Sequence, residues 1–312
     1  MTRTILFAGP ASDWPDYEHR LPAAFAAAGL DAVLTRDARD PAAVDYIVYA
    51  PSGPISDFAP FTRARAVLGL WAGVEQIVGN PTLTQPLLRM IDDVGLTEGM
   101  VEWVAGHVLR HHLGMDRHIT CAPGDWVQTC PPLARDRQVC VLGLGALGSA
   151  CAKALAGLNF QVSGWARSKK AIGGVACFHG EAGLAQALAG AEIVVLLLPQ
   201  TPDTANLFDA ARLASLRAGA VILNPGRGGL IDDAALLAAL DTGQIGHATL
   251  DVFRTEPLPT DHPFWAHPRV TVTPHIASTT RPATAAACIA DSIARVERGE
   301  RLPNLVDRAR GY

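Results

Sequence analysis

The chain has 312 residues, of which 49% are hydrophobic and 18% charged, and its formal net charge at pH 7 is -4. This length is enough for two domains with buried cores, and the slight negative charge argues against nucleic acid or an anionic membrane as the main partner. The six cysteines form no CxxC pair and have no histidines at ligand spacing, so we expect neither a metal site nor a disulfide framework. No apolar run approaches the roughly 18–20 residues of a membrane span, and the first residues do not resemble a secretion signal. We therefore expect a soluble, cytoplasmic protein.

Short apolar runs in the first hundred residues alternate with stretches of helical length, as is typical of a parallel sheet covered by helices. A helix is predicted near 17–28, and a long amphipathic helix is predicted over 97–114, with Thr97 as its N-cap and Gly114 at its end. The strands predicted in this part are 4–9, 31–35, 45–50 and 66–73.

A second series of apolar strands follows, and its near-continuous runs suit a doubly wound sheet that is buried on both faces. The six strands predicted in this series are 137–143, 160–165, 191–199, 220–226, 247–253 and 269–275. A last helix is predicted over 282–300, and it could return to the first unit. The predicted fold class is therefore α/β, with two domains that each contain a parallel sheet.

A glycine-rich turn connects the first strand of the second series to a helix. Gly143, Gly145 and Gly148 form the pattern G-x-G-x-x-G directly after this strand. In a dinucleotide-binding turn, the first glycine permits the tight turn, the second lets the backbone approach a pyrophosphate, and the third lets helix and strand pack closely. Glycine-rich turns also occur for structural reasons alone, but the strand–turn–helix context favours dinucleotide binding.

The stretch SGWARSKK, residues 163–170, lies where dinucleotide-binding folds commonly carry an acid for the adenosine ribose. It has no carboxylate, and Arg167 follows the last glycine of the motif by 19 residues. Because a guanidinium can bind a ribose 2′-phosphate that a carboxylate would repel, we interpret Arg167, Lys169 and Lys170 as a site for NADP. The alternative is an ordinary solvated basic loop. Trp165 either stacks on the adenine or packs at the strand end.

Polar residues follow three of the late strands, at the edge of the sheet where ligands bind in open α/β folds. Arg227, Glu256 and His275 together provide a cation, a carboxylate and a histidine. This is a minimal set for reducing a 2-oxo acid: the cation binds the substrate, the histidine protonates the developing alkoxide, and the carboxylate keeps the histidine charged. The alternatives are a surface arginine, a capping or solvated acid, and a structural histidine at a strand end.

Four other histidines have no matching partners in the sequence, and we expect ordinary surface roles for them. They are His111, His112, His118 and His262.

Four motifs of the chain resemble the D-isomer-specific 2-hydroxyacid dehydrogenase family. They are GLGALGSACAKAL, NPGRGGLIDDAALLAAL, LDVFRTEPLP and HPRVTVTPHIAS, which occur in the family's order and spacing. The segments DDVGLTEGMVEW and LVDRARGY resemble the glyoxylate/hydroxypyruvate reductase branch of that family most closely. The similarity extends over essentially the whole chain.

The resemblance implies two Rossmann-like or flavodoxin-like domains, with a discontinuous substrate-binding domain of residues 1–99 and 281–312 and an NAD(P)-binding domain of residues 100–280. It implies an NADPH-preferring reductase, with NAD(H) as a possible cofactor, that converts glyoxylate to glycolate and hydroxypyruvate to D-glycerate. It also implies a homodimer formed through the cofactor domain. The stretch 118–129, with Trp126, would belong to the dimer contact, or Trp126 would cover the core of its own domain.

The resemblance also assigns roles to individual residues. The backbone amides of Ala72, Gly73 and Val74 would bind the substrate carboxylate, together with Arg227. His275 would be the general acid/base and Glu256 its partner. The implied cofactor-binding residues are Met100, Gly143, Gly145, Ala146, Leu147, Gly148, Trp165, Arg167, Ser168, Lys169, Leu198, Pro199, Thr204, Pro225, Gly226 and Asp251.

Trp71 is a departure from the family, because many members have glycine at this position of the carboxylate loop. A bulky ring there could narrow or reshape the substrate pocket, so the side chain of the preferred substrate stays open. Two alternatives to the predicted function also stay open. One is an NAD-dependent member of the same family with another 2-oxo acid as substrate, and the other is a non-catalytic, nucleotide-sensing protein on the same fold.

Overall fold

A computed structural model of the chain describes residues 1–302 and 304–311. The chain divides into two compact units. The first consists of Met1–Leu96 and Thr280–Tyr312, and the second of Thr97–Thr279. The first unit is therefore formed by two separate segments of the sequence.

Strands and helices alternate along most of the chain, as the apolar pattern predicts. The strands are β1 (Arg3–Ala8), β2 (Ala32–Thr35), β3 (Tyr46–Tyr49), β4 (Ala66–Gly69), β5 (Leu87–Leu88), β6 (Gln138–Leu142), β7 (Gln161–Ala166), β8 (Val175–His179), β9 (Ile193–Leu196), β10 (Ala220–Asn224), β11 (Ile245–Leu250) and β12 (Val270–Val272). The α-helices are α1 (Trp14–Tyr17), α2 (Arg20–Ala27), α3 (Gly95–Leu113), α4 (Met115–Ile119), α5 (Ala146–Gly157), α6 (Gly180–Leu188), α7 (Ala210–Ser215), α8 (Asp233–Asp241) and α9 (Pro282–Arg298).

The first unit contains a parallel sheet with the strand order β2-β1-β3-β4-β5. Successive side chains of a strand point to opposite faces, and β1 shows this alternation. Ile5 and Phe7 lie in a buried cluster that includes residues of α1, α2 and α9. Leu6 and Ala8 lie in a second cluster, formed with the segment between β3 and β5. Both faces of this sheet are therefore covered.

The second unit contains a parallel sheet with the strand order β12-β11-β10-β9-β6-β7-β8. Val139 and Val141 of β6 face α3 and α5, whereas Cys140 and Leu142 face α6, α7 and α8. This is the doubly wound arrangement that the apolar runs predict, so the α/β fold with two parallel sheets is confirmed.

The prediction of six strands in this sheet is wrong, because β8 is a seventh. Its sequence VACFH is only partly buried, and it lies at the edge of the sheet beside β7. An edge strand is less covered than a central one, so it lacks the continuous apolar run by which the other strands were found.

The predicted N-cap of the long helix α3 is also wrong. The helix begins at Gly95, and Thr97 lies within its first turn. The carboxylate of Asp92 accepts hydrogen bonds from the backbone N–H groups of Val94 (3.0 Å) and Gly95 (2.8 Å), so an aspartate outside the helix binds the amides at its start. The predicted end is right, because Gly114 follows the helix with a φ of +63°.

Among the residues that the structure describes, no helix is both long and apolar enough to cross a membrane. The cytoplasmic location inferred from the sequence stays a prediction.

Candidate active site

The glycine turn between β6 and α5 has the geometry that its sequence predicts. Gly143 has a φ of +103°, and a Cβ there would lie 2.3 Å from the carbonyl oxygen of Leu197. A Cβ on Gly148 would lie 1.8 Å from the carbonyl oxygen of Gly143, so this glycine lets α5 pack against the turn. At Gly145, by contrast, no described atom lies within 4 Å of a Cβ built on the backbone. The turn is therefore closed toward the sheet and open on the side of Gly145.

The start of α5 can bind a phosphate group on this open side. Gly145 is the N-cap of the helix, and its first residues are Ala146, Leu147 and Gly148. Gly145 and Ala146 are exposed. The first backbone N–H groups of a helix have no partner within it and lie at the positive end of its dipole, which favours anions.

The basic loop follows β7, the strand next to β6. The N–H of Gly143 donates to the carbonyl oxygen of Trp165 (2.8 Å), so the end of β7 lies beside the glycine turn. Arg167, Ser168, Lys169 and Lys170 are all exposed. The structure thus places an exposed basic loop beside the start of the glycine turn.

Trp165 is held by its own domain. Its indole nitrogen donates to the carbonyl oxygen of Gly180 (2.7 Å), and its ring packs against the buried cluster beneath α6, α7 and α8. These contacts favour packing at the strand end over adenine stacking.

The loops after β9 and β10 lie along the same edge of the sheet. Leu198 is buried, and the hydroxyl of Thr204 donates to the carbonyl oxygen of Pro199 (2.7 Å) and accepts from the N–H of Thr201 (2.8 Å). A Cβ on Gly226 would lie 2.7 Å from the carbonyl oxygen of Leu196, so this glycine and the buried Pro225 before it bring two loops into close contact. Contacts of these residues with a cofactor stay predictions.

His275 and Glu256 form a direct pair. The imidazole Nδ1 lies 2.6 Å from Glu256 Oε2, and Glu256 Oε1 accepts a hydrogen bond from the N–H of Phe253 (2.8 Å). The side chains are 53% and 33% exposed, respectively. An ionised carboxylate can only accept hydrogen bonds, so Nδ1 carries a proton and Nε2 is the ring nitrogen left to exchange a proton with a substrate.

The backbone holds His275 in an unusual conformation. Its φ is +53°, which side-chain-bearing residues adopt rarely, and its N–H donates to the carbonyl oxygens of Asp251 (2.8 Å) and Thr273 (3.0 Å). These bonds determine the direction of the imidazole at the end of β12.

Asp251 directly follows β11. Its side chain is fully buried, and both carboxylate oxygens bind the loop that carries His275. Oδ1 accepts from the hydroxyl of Thr273 (2.5 Å) and the N–H of Ile276 (2.9 Å), and Oδ2 accepts from the N–H of Ala277 (2.9 Å). Asp251 therefore holds this loop in place, and its contact with the nicotinamide ribose stays a prediction.

Arg227 follows β10 and precedes a short 3₁₀ turn of Gly228–Leu230. Its guanidinium donates to the carbonyl oxygen of Gly226 (2.7 Å), and its own carbonyl oxygen accepts from the side-chain amide of Asn224 (2.9 Å). A Cβ on Gly228 would lie 2.0 Å from the carbonyl carbon of Phe253, so the loop after β10 lies against the loop that carries Glu256. The loops of Arg227 and Glu256 are thereby in contact.

Met100 is buried in α3, in the same cluster as Ala277. Its side chain thus packs next to the His275 loop, and its predicted contact with the nicotinamide stays untested.

In the first unit, the loop after β4 contains the predicted carboxylate-binding residues. The carbonyl oxygen of Leu70 accepts from the hydroxyl of Thr280 (2.8 Å), and that of Trp71 accepts from the N–H of Met90 (3.1 Å). The ring of Trp71 is 40% exposed, Ala72 and Gly73 are half-buried, and Val74 is buried.

The prediction of surface roles for His111 and His112 is wrong. His112 is buried beside Phe160, and His111 lies against His247 of β11, with ring centroids 4.9 Å apart. Nε2 of His111 also lies 2.9 Å from the hydroxyl of Thr249.

Burial, with a smaller contribution from the neighbouring His247, lowers the pKa of His111 to about 3. Burial likewise lowers the pKa of His247 to about 4, with Arg110 the next contributor. A histidine on the inner face of α3 could have been identified from helical periodicity.

The doubly wound sheet and its glycine turn define a dinucleotide-binding α/β protein, and the pair of His275 and Glu256 lies at the edge of the sheet where ligands bind in such folds. Residues 106–277 match the family model of the D-isomer specific 2-hydroxyacid dehydrogenase, NAD binding domain.

Solved structures of similar proteins extend over the whole chain. A D-isomer specific 2-hydroxyacid dehydrogenase from Xanthobacter autotrophicus Py2, in complex with NADPH and MES, is 41% identical, with 100% of both chains covered and a TM-score of 0.91. An NADPH-dependent glyoxylate/hydroxypyruvate reductase from Sinorhizobium meliloti, in complex with NADP and sulfate, is 34% identical over 99% of this chain and 100% of that chain, with a TM-score of 0.84. A probable 2-hydroxyacid dehydrogenase from Rhizobium etli, in complex with NADP, HEPES and L(+)-tartaric acid, is 31% identical over 100% of this chain and 99% of that chain, with a TM-score of 0.85.

The chain belongs to the D-isomer specific 2-hydroxyacid dehydrogenase family. It is an NAD(P)-dependent oxidoreductase of that family, as its four motifs predict.

Proposed function

We propose that this protein is an NADPH-preferring reductase of small 2-oxo acids, with glyoxylate and hydroxypyruvate as the main substrates. The observation that carries the proposal is the exposed basic loop at the end of β7, which contains Arg167, Lys169 and Lys170 and no carboxylate. The similar structures from Xanthobacter, Sinorhizobium and Rhizobium contain NADPH or NADP, and the Sinorhizobium protein is a glyoxylate/hydroxypyruvate reductase.

The residues at the sheet edge fit the cofactor. The open side of the turn at Gly145 and the first amides of α5 would hold the diphosphate. Arg167 and the lysines beside it would bind the 2′-phosphate of the adenosine ribose, since a guanidinium binds phosphate oxygens in pairs. When bound, NADPH supplies the hydride for C2 of the substrate.

The acid/base chemistry belongs to the His275–Glu256 pair. In the direction of reduction, Nε2 of His275 donates a proton to the carbonyl oxygen of the substrate as the alcohol forms. Glu256, 2.6 Å from Nδ1, stabilises the positive charge of the imidazole before this transfer. Arg227 would bind the carboxylate and carbonyl oxygens, and its charge would stabilise the developing alkoxide.

Two features of the first unit support a small substrate. The amides of Ala72, Gly73 and Val74 would bind the substrate carboxylate, and the ring of Trp71 in the same loop would take up the room of a larger substituent on C3. Glyoxylate carries only hydrogen on C2, and hydroxypyruvate carries a small hydroxymethyl group, so both fit this proposal.

The cofactor preference is tested by the substitution Arg167→Ala. Loss of the guanidinium should raise the KM for NADPH by about tenfold, as expected for one charge-assisted contact, and leave the KM for NADH within a factor of two. Arg135→Ala is a matched control, because this exposed arginine precedes β6 at the opposite end of the sheet. Equal weakening of both cofactors would contradict recognition of the 2′-phosphate.

We also propose that the protein forms a homodimer through the stretch 118–129 and its flanks. Trp126 is 92% exposed, so the alternative that it covers the core of its own domain is wrong. Ile119 and Leu133, on either side, are 74% and 63% exposed. A second copy of this chain would bury these apolar side chains.

A further inference from the structure

The C-terminal segment of the first unit is hydrogen bonded to the edge of its sheet. The N–H of Val306 donates to the carbonyl oxygen of Leu87 in β5 (2.9 Å), and the N–H of Arg89 donates to the carbonyl oxygen of Asn304 (3.1 Å). The pair Leu88 and Leu305 forms an antiparallel bridge. Residues 304–306 thus extend the sheet beyond β5. Leu305 begins the motif LVDRARGY, to which the proposed chemistry assigns no role.

Arg308, at the end of this extension, binds three backbone carbonyls of one segment. Its Nε donates to the carbonyl oxygen of Val78 (3.2 Å) and its Nη2 to that of Asn80 (2.8 Å), while its Nη1 donates to that of Leu83. A planar guanidinium has five N–H donors in a rigid fork, so one side chain can hold three carbonyls in a defined relation. Arg308 therefore restrains the shape of the segment 78–83.

This segment continues directly from the predicted carboxylate-binding loop. The carbonyl oxygen of Val74 accepts from the N–H groups of Ile77 (3.0 Å) and Val78 (2.9 Å), which forms a helical turn. Val74, Ile77, Leu83 and Val306 are buried in the same apolar cluster. The contacts of Arg308 at Val78 thus lie one helical turn from Val74, and the packing of the tail supports that turn from the same side of the sheet.

We infer that Arg308 is a positioning residue for substrate binding, which orders the segment 74–83 and through it the amides of the loop 72–74. The inference rests on the proposed function, in which these amides bind the carboxylate of a 2-oxo acid. Arg308 contacts only the backbone of the segment 78–83 in these bonds and would act on the substrate through the shape of this segment. Its loss should therefore weaken binding of the 2-oxo acid and leave the hydride and proton transfers intact.

The substitution Arg308→Ala tests the inference through steady-state kinetics. We expect the KM for the 2-oxo acid to rise about five- to tenfold, with kcat and the KM for NADPH each within a factor of two of wild type. The reason is that the substitution should weaken binding of the substrate and of the transition state equally. Arg308→Lys should give a smaller rise, since an ammonium group lacks the planar fork. Arg310→Ala is the matched control, because Arg310 is 64% exposed and forms an ion pair with Asp307, three residues before it.

Hydrogen exchange by mass spectrometry gives a second measurement that requires no turnover. In Arg308→Ala, amides of the segment 72–83 should exchange faster than in wild type, while peptides from β6 and α5 should be unchanged. If wild type turns over no 2-oxo acid, the proposed function fails, and exchange alone decides whether Arg308 orders the segment. The inference would be overturned if the KM for the 2-oxo acid and the exchange of the segment 72–83 were both unchanged. It would also be overturned if kcat fell and amides of both units lost their protection from exchange.

Discussion

Asp251 holds His275, the proposed acid/base residue, in a fixed backbone conformation after β12. A φ of +53° at a histidine costs on the order of 1–3 kcal/mol, so the surrounding contacts must hold it in place. Asp251 makes these contacts with its carbonyl oxygen and both carboxylate oxygens. Because its carboxylate is fully buried and fully bonded, the loop can have only a narrow range of shapes. In the proposed mechanism, the nitrogen that donates the proton is thereby oriented before substrate binds.

Replacing His275 tests the acid/base assignment at the residue scale. His275→Ala should lower kcat by about 10²–10⁴-fold, the usual contribution of a general acid. Binding of NADPH, measured by quenching of tryptophan fluorescence, should stay within a factor of two. His19→Ala is the control and should behave as wild type, because the side chain of His19 is 90% exposed in the first unit. Retained turnover in His275→Ala would remove His275 from the mechanism.

The sequence allowed the chemistry of single residues to be predicted better than their burial. Glu256 and His275 each follow a strand of the sheet, and the parallel topology brings these ends to one edge, where the structure pairs them. Asp251 also follows a strand, but its bonds depend on the path of the turn from Thr273 to Ala277, which no residue pattern specifies. Trp165 is a similar case, because the carbonyl that it binds lies 15 residues away in the chain.

At the scale of elements, the buried face of α3 makes the second unit sensitive to acid. His111 of this helix and His247 of β11 have pKa values lowered to about 3 and about 4 by burial. In the unfolded chain both titrate near pH 6.5. Below about pH 6.5 the unfolded chain therefore binds protons that the folded unit does not, and this favours unfolding.

This difference predicts a measurable dependence of stability on pH. Between about pH 6.5 and pH 4, each histidine should lower the free energy of unfolding by about 1.4 kcal/mol per pH unit, and above pH 6.5 this loss should be absent. Urea unfolding would measure it in wild type, in the double variant His111→Gln/His247→Gln and in a control, His179→Gln, whose histidine is exposed in the same unit. The double variant should show the shallower slope. The same slope in all three proteins would refute the explanation.

The ends and edges of elements account for most of the errors in the predicted fold. The central strands were found because both faces of each sheet are covered and the runs are apolar throughout. The edge strand β8 and the two-residue strand β5 lack such a run. Thr97 was predicted as the N-cap of α3 because it is the polar residue nearest the apolar pattern of the helix. The helix instead begins at Gly95, and its N–H is bound by Asp92, three residues earlier.

For the whole molecule, the exposed apolar residues around Trp126 predict association of two copies. Light scattering after gel filtration should give twice the mass of the chain for wild type. Trp126→Glu should reduce the mass to that of a monomer, because an unpaired charge would be buried in the interface. Trp265→Glu is a control, since Trp265 is also exposed, at 52%, but lies in another part of the second unit. A wild-type monomer would contradict the proposed dimer.

The whole molecule is proposed to reduce small 2-oxo acids with NADPH. The initial rates of purified protein should be measured with NADPH and with NADH on glyoxylate, hydroxypyruvate, pyruvate and a branched 2-oxo acid. We expect the highest kcat/KM with NADPH on glyoxylate and hydroxypyruvate, and little turnover of the branched acid. A preference for NADH would contradict the role of the basic loop at Arg167, and a preference for the branched acid would contradict the role of Trp71.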